Sequence, residues 1–199
     1  MKYKLLYLSI LLVLASCAPM KKSALWKYTE WPQVLFDGDY PDPTILVDGS
    51  DYYMTFTSQR EVPGLPIWHS KDMVNWEQIG NALHKDLGAV WAPDLQKFNG
   101  KYYIYFPANH HFYVVYADKM EGPWSEPVDM GIDAIDPGLA RDDKGNMILY
   151  ANNGRSVPLS SDGLTPMGKL KHAYDAWPIP KDWIVECRCL ESPKIFYRD

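Results

Sequence analysis

Four acidic residues of this chain stand within two residues of a proline, each close to the start of a strand-like apolar run. They are Asp42 in Tyr40-Pro41-Asp42-Pro43, Asp94 in Ala92-Pro93-Asp94, Asp136 in Ile135-Asp136-Pro137 and Glu191 in Glu191-Ser192-Pro193. Successive acids are 52, 42 and 55 residues apart. A carboxylate at the mouth of a buried strand is expensive without a partner, so each of these either caps a turn or is used. Carboxylates gathered in one place repel one another, which shifts some of their pKa values upward. Such a cluster can divide the roles of acid and base, as a hydrolysis reaction requires.

What must position these acids is β-structure. Helical periodicity is nearly absent after the first residues. Short runs of Tyr, Ile, Val, Phe and Thr alternate instead with Gly, Asn and Asp turns. "TILVDGSDYYMTFTS" predicts a hairpin through an Asp-Gly turn, and "LQKFNGKYYIYFPA" another through Asn99-Gly100. "GLARDDKGNMILYAN" predicts a third through Lys144-Gly145, and "KIFYRD" (Lys194–Asp199) begins a fourth. Further strand pieces follow the first two hairpins: "PIWHS" with "NWEQI", and "FYVVYA" with "PWSEPV". Units of about four strands at this spacing read as blades of an all-β propeller. The innermost strand of each blade lines the central axis, so acids at its start converge on one end of the channel.

The same segments resemble glycoside hydrolase family 43, a family of five-bladed β-propellers. "YPDPT" (Tyr40–Thr44) and "PGLPIWHSKDMVNWEQIG" (Pro63–Gly80) are similar to the start and close of its first blade. "WAPDL" (Trp91–Leu95), "IDPGLARDDKG" (Ile135–Gly145) and "LESPKIFYRD" (Leu190–Asp199) are similar to the starts of the next three. The resemblance covers residues 36–199, about three blades and the first strand of a fourth. It implies an inverting glycosidase acting on xylo- or arabino-oligosaccharides, of the β-xylosidase and α-L-arabinofuranosidase branch. Residue by residue, it implies that Asp42 is the general base that activates water. Asp136 is the acid that tunes and orients its neighbours, and Glu191 is the general acid that protonates the leaving oxygen. The family's usual Glu-Gly-Pro is here Glu191-Ser192-Pro193, and Glu186 and Asp182 compete for the role of Glu191. Inversion requires base and acid carboxyls ~6.5–9.5 Å apart, with room for a water. The alternative is a carbohydrate-binding propeller, or an inactive fragment of such an enzyme.

Other side chains are candidates for holding a sugar. Trp91 and Trp68 offer faces on which a pyranose can stack, against the plain alternative of packing between blades. His69 could bond a hydroxyl, as could His110 and His111, although a structural histidine is the commoner case. Phe36 and Tyr40 flank the first motif and could wall a pocket. Asn152, Asn153 and Arg155 follow the third hairpin and could reach its rim. Asp94 reads as a structural acid bonding backbone or an arginine.

The 199 residues carry a net charge of −5 and are 14% aromatic. That acidity argues against nucleic acid, whose phosphates attract Lys and Arg. Lys2 and Lys4, the apolar run Leu5–Leu14 and "LASC" read as a signal peptide over residues 1–16. Leu14-Ala15-Ser16-Cys17 resembles a bacterial lipobox, which implies acylation of Cys17 and a tether over residues 17–30. The plain alternative is an ordinary signal peptide cut after Ala15 and Ser16. A partial propeller domain then occupies residues 31–199, on a bacterial cell envelope, facing either the periplasm or the exterior. Its membrane contact would be the lipid alone, and its partner an oligosaccharide. Cys187 and Cys189 are expected to remain buried or half-buried free thiols, too far apart along a strand to bridge. No cofactor is required by the resemblance. A calcium ion on the axis is allowed by it, with no ligands identifiable here. Three blades and a strand leave a five-bladed ring open, so the sequence reads as part of a longer propeller with unpaired edges.

Overall fold

The computed structural model describes Leu35 and residues 37–195. The chain divides into two units, Met1–Val34 and Leu35–Asp199, and all described residues belong to the second. The signal, lipidation and tether assignments therefore lie outside the described residues, as does Phe36.

The described chain is all β. Strands β1 (Thr44–Asp48), β2 (Asp51–Thr55), β3 (Gly64–Ser70) and β4 (Trp76–Leu83) form one antiparallel sheet in chain order. β5 (Asp94–Phe98), β6 (Lys101–Ala108), β7 (His111–Ala117) and β8 (Val128–Asp133) form the second. β9 (Gly138–Arg141), β10 (Met147–Ala151), β11 (Arg155–Leu159) and β12 (Lys171–His172) form the third. Each sheet is one blade of a partial propeller. Between sheets, β1 meets β5 and β5 meets β9, so the first strand of every blade is the inner one.

Local chemistry sets these strands. Asn99 and Gly100 both take positive φ, 49° and 76°, and close the β5–β6 hairpin between paired Phe98 and Lys101. Gly49 at φ 63° opens the turn between paired Asp48 and Asp51. The third hairpin turns more widely, between paired Arg141 and Met147. There the Asp142 carboxylate accepts the Lys144 and Asn146 amides at 2.9 and 2.8 Å. Two apolar layers join the blades. Leu65, Ile67, Ile104, Phe106 and Val115 fill the space between the first and second sheets. Tyr103, Tyr105, Phe112, Leu149 and Val157 fill that between the second and third. Tyr105, fully buried, donates its hydroxyl to the Gly163 carbonyl at 2.9 Å, satisfying the one polar atom its burial would otherwise strand.

Three expectations change. The last strand of the second blade is not "PWSEPV" but Val128–Asp133; prolines at 123 and 127 supply no N–H for a ladder. Cys187 and Cys189 are exposed and joined in a disulfide, not buried thiols. Their segment is irregular, which brings the Cα atoms to 5.3 Å, closer than an extended strand holds residues two apart. So short a loop constrains the unfolded chain little. Finally, Glu191–Ile195 runs without regular structure, and the rest of the expected fourth-blade strand falls in residues 196–199, outside the described residues.

Candidate active site

Prolines set the phase of the repeats. Each inner strand begins at the residue after one: Thr44 after Pro43, Asp94 after Pro93, Gly138 after Pro137. Lys194 follows Pro193 in the same way. The residues just before these prolines are Asp42, Ala92, Asp136 and Ser192. Asp42, Asp136 and Ser192 all adopt the left-handed conformation, with φ of 55°, 59° and 51°. A non-glycine residue there is uncommon, Asp being among the more tolerant. Glycine fits that conformation without strain, which gives a physical reason for the Glu-Gly-Pro pattern from which Ser192 departs. The backbone on both acid-bearing turns is fastened alike: the Thr57 amide donates to the Pro41 carbonyl and the Asn152 amide to that of Ile135, both at 3.1 Å.

Asp94 is out of phase with the other acids. It lies two residues after Ala92, inside β5, and is 2% exposed. One of its oxygens accepts the Leu139 amide at 2.8 Å and the Gln96 side chain at 2.9 Å. The other accepts the Lys194 ammonium at 3.2 Å. Thr44, at the same phase in β1, accepts the Leu95 amide on Oγ1 at 3.2 Å. Both residues are ties between neighbouring inner strands.

The remaining acids are Asp42, Asp136 and Glu191. Asp42 is exposed, and its Oδ2 accepts the Thr57 hydroxyl at 2.6 Å. That hydroxyl oxygen in turn accepts the Ala92 amide at 2.7 Å, which directs its proton to the carboxylate. Asp136 is 7% exposed, and its Oδ2 accepts the Ser192 amide at 3.1 Å. Burial pushes the Asp136 carboxyl above the ordinary carboxylate range. The Ser192 N–H opposes that shift, the negative charges of Glu191 and Asp42 add to it, and the Lys194 ammonium opposes it. Both of the other acids are thus electrostatic neighbours of Asp136, although each comes from a different repeat. Glu191 stands one residue ahead of the repeat phase, exposed, with the Leu190 carbonyl accepting the Asn153 amide at 2.7 Å.

The aromatic candidates separate. A cavity of about 560 Å³ opens beside Asp42, sharing Pro41 and Thr57 with its turn and lined also by Tyr40, Gln59 and Trp68. Trp68 sits at a register shift in the β3–β4 ladder, a bulge that re-aims its side chain, and meets Tyr40 edge-on at 5.9 Å. Half-buried Trp91 donates Nε1 to Gln59 Oε1 at 3.3 Å and meets His110 edge-on at 4.8 Å. His69 is not brought to the acids. β3 starts beside Ser58, whose hydroxyl accepts the Leu65 amide at 3.1 Å, and its side chains alternate, so that Trp68 lines the cavity and His69 does not. Near its far end His69 lies against Tyr53 and bonds Asp51 at 2.6 Å through Nε2. His111 is engaged between Asp129 and Asp133, at 2.6 and 2.7 Å. Arg155 folds back onto the Asn152 carbonyl at 3.1 Å. Thr57, Gln59 and Lys194 were not singled out in the sequence. The cue was available for Thr57, which lies just past the second strand, where each blade returns to the axis. Among the described residues no group of three His, Cys, Asp or Glu side chains is placed to hold a metal.

Antiparallel four-stranded sheets in chain order, joined through their first strands, define a β-propeller. The chain belongs to glycosyl hydrolases family 43, whose sequence model matches residues 32–199. It is 35% identical over 195 residues to a xylan 1,3-beta-xylosidase from Vibrio sp, covering 83% of this chain and 35% of that protein. It is 34% identical over 123 residues to a non-reducing end alpha-L-arabinofuranosidase from Bacteroides ovatus, covering 53% of this chain and 23% of that one. The crystal structure of a xylan beta-1,4-xylosidase from Bacillus halodurans C-125 matches at a TM-score of 0.65 and 25% identity, over 80% of this chain and 35% of the other. The chain spans about a third or less of the length of these relatives.

Proposed function

We propose that the protein hydrolyses the glycosidic bonds of xylo- or arabino-oligosaccharides with inversion at the anomeric carbon. The observation that carries this reading is that Asp42 and Asp136 sit on matching left-handed turns before the inner strands, with Asp136 bonded to the Ser192 amide next to Glu191. Asp42, oriented by Thr57, takes a proton from water as that water's oxygen bonds to the anomeric carbon. Glu191 donates its proton to the departing oxygen as the carbon–oxygen bond breaks. Asp136 holds the Ser192 amide and so fixes the turn that carries Glu191. Trp91 and Trp68 provide faces for sugar rings beside these acids. The names of the relatives support pentose substrates without choosing between them.

The test is hydrolysis of 4-nitrophenyl β-D-xylopyranoside and α-L-arabinofuranoside by the purified protein, with product stereochemistry followed by NMR. Inverted product is expected, and first-formed product of retained configuration defeats the mechanism. Asp42→Asn and Glu191→Gln are each expected to lower kcat by about 10²–10⁴-fold with substrate binding kept. Binding of oligosaccharide without turnover by the parent protein would mark a carbohydrate-binding propeller instead. Cys17 is proposed to carry lipid that holds the protein on the bacterial envelope. Metabolic labelling with a radioactive fatty acid should mark the parent and not Cys17→Ala.

A further inference from the structure

We propose that Lys194 is a positioning residue for the general acid: its ammonium, seated on the buried Asp94 carboxylate and the Pro93 carbonyl, pins the Glu191–Lys194 turn to the inner strand of the second blade. This rests on the reading that Glu191 donates the proton. Residues 173–195 have no regular secondary structure and are largely exposed, so a ladder does not hold Glu191 in place. Specific anchors do. The Asn153 amide holds the Leu190 carbonyl at 2.7 Å, and Asp136 holds the Ser192 amide at 3.1 Å. Gly138 lets the turn settle on the start of β9, since a Cβ there would stand 1.8 Å from the Pro193 carbonyl oxygen.

Those anchors all come from the third blade. Lys194 alone among them reaches the second, with Nζ 3.0 Å from the Pro93 carbonyl oxygen and 3.2 Å from Asp94 Oδ1. Asp94 is itself tied to the third blade through the Leu139 amide. One buried carboxylate thus joins the starts of three successive units. Without Lys194 it would be a buried charge supported by neutral donors only, an arrangement strongly disfavoured. Asp136 faces Asp42 and Glu191, which disfavour its charge, and Lys194 and the Ser192 amide, which favour it. Loss of the ammonium should therefore disturb both members of the Asp136–Glu191 pair.

The test uses Lys194→Met, which keeps the volume and removes the charge, with Lys194→Arg as the conservative variant. Two aryl pentosides are compared, one with the poor leaving group 4-methoxyphenol and one with 2,4-dinitrophenol, which departs without a proton. Lys194→Met should lose kcat about 10- to 100-fold on the first and little on the second, with Arg restoring part of the loss. Independently of activity, carbon NMR of aspartate-labelled protein should show Asp136 titrating at higher pH in Lys194→Met than in the parent. Equal losses on both substrates, or an unmoved Asp136 titration, overturn the proposal. If the parent turns over neither glycoside, the functional reading fails and the titration alone decides whether Lys194 governs this site. Lys194→Gln, with the same expectations, replaces Met if that variant does not fold.

Discussion

At the scale of single residues, Asp136 shows how the site works against stability. It is buried, its folded form binds a proton more tightly than the unfolded chain does, and two further acids add to that tendency. For a carboxyl with a raised folded pKa, stability is greatest below the unfolded value and falls as pH rises through the window up to the folded one. Asp136→Asn keeps an acceptor for the Ser192 amide and removes the charge. Relative to the parent, its unfolding temperature should therefore gain more at about pH 7 than at about pH 4, while turnover is lost. Calorimetry at the two pH values checks this; equal gains, or a larger gain at low pH, would contradict the assignment.

At the scale of elements, the second strand of the first blade delivers a residue to that blade's acid. Thr57, just past β2, accepts from the buried Ala92 amide and donates to Asp42, linking the first two blades through one hydroxyl. Thr57→Val preserves shape but strands the amide and frees the carboxylate. A stability loss of about 1–3 kcal/mol is expected, read from urea unfolding, together with a fall in kcat. The same element logic explains the idle position of Asp94. Two residues further along, a side chain points between inner strands, where it ties blades together and does not meet a substrate.

At the scale of the whole molecule, stability resides between blades. Ile104 is fully buried in the layer joining the first and second sheets. Ile104→Ala should cost about 2–5 kcal/mol. Val47, of similar character on β1, is 60% exposed, so Val47→Ala should stay within about 0.5 kcal/mol. Urea midpoints of the two variants make the comparison. Apolar side chains such as Trp177, at 88% exposed, and Trp183 are open to solvent along residues 173–195, a surface that favours association over independence.

By itself, the sequence determined the β-architecture, because Asn-Gly and Asp-Gly turns and strand-forming runs are local chemistry, and the recurring Pro-acid pairs were visible as a repeat. It also marked Asp42, Asp136 and Glu191. Only the tertiary structure decided what those acids touch. Asp94, already read as structural, follows its proline where Asp42 precedes one, and the structure supplied its partners: the Leu139 amide, Gln96 and Lys194 in place of an arginine. His69 was placed away from the cavity by alternation along β3, where Trp68 takes the cavity side, and the cysteines were paired by an irregular backbone that no spacing rule foretells. Lys194 became legible only when Asp94 stood beside it. Partners a hundred residues apart in the chain are set by how blades pack around an axis, and no local pattern encodes that.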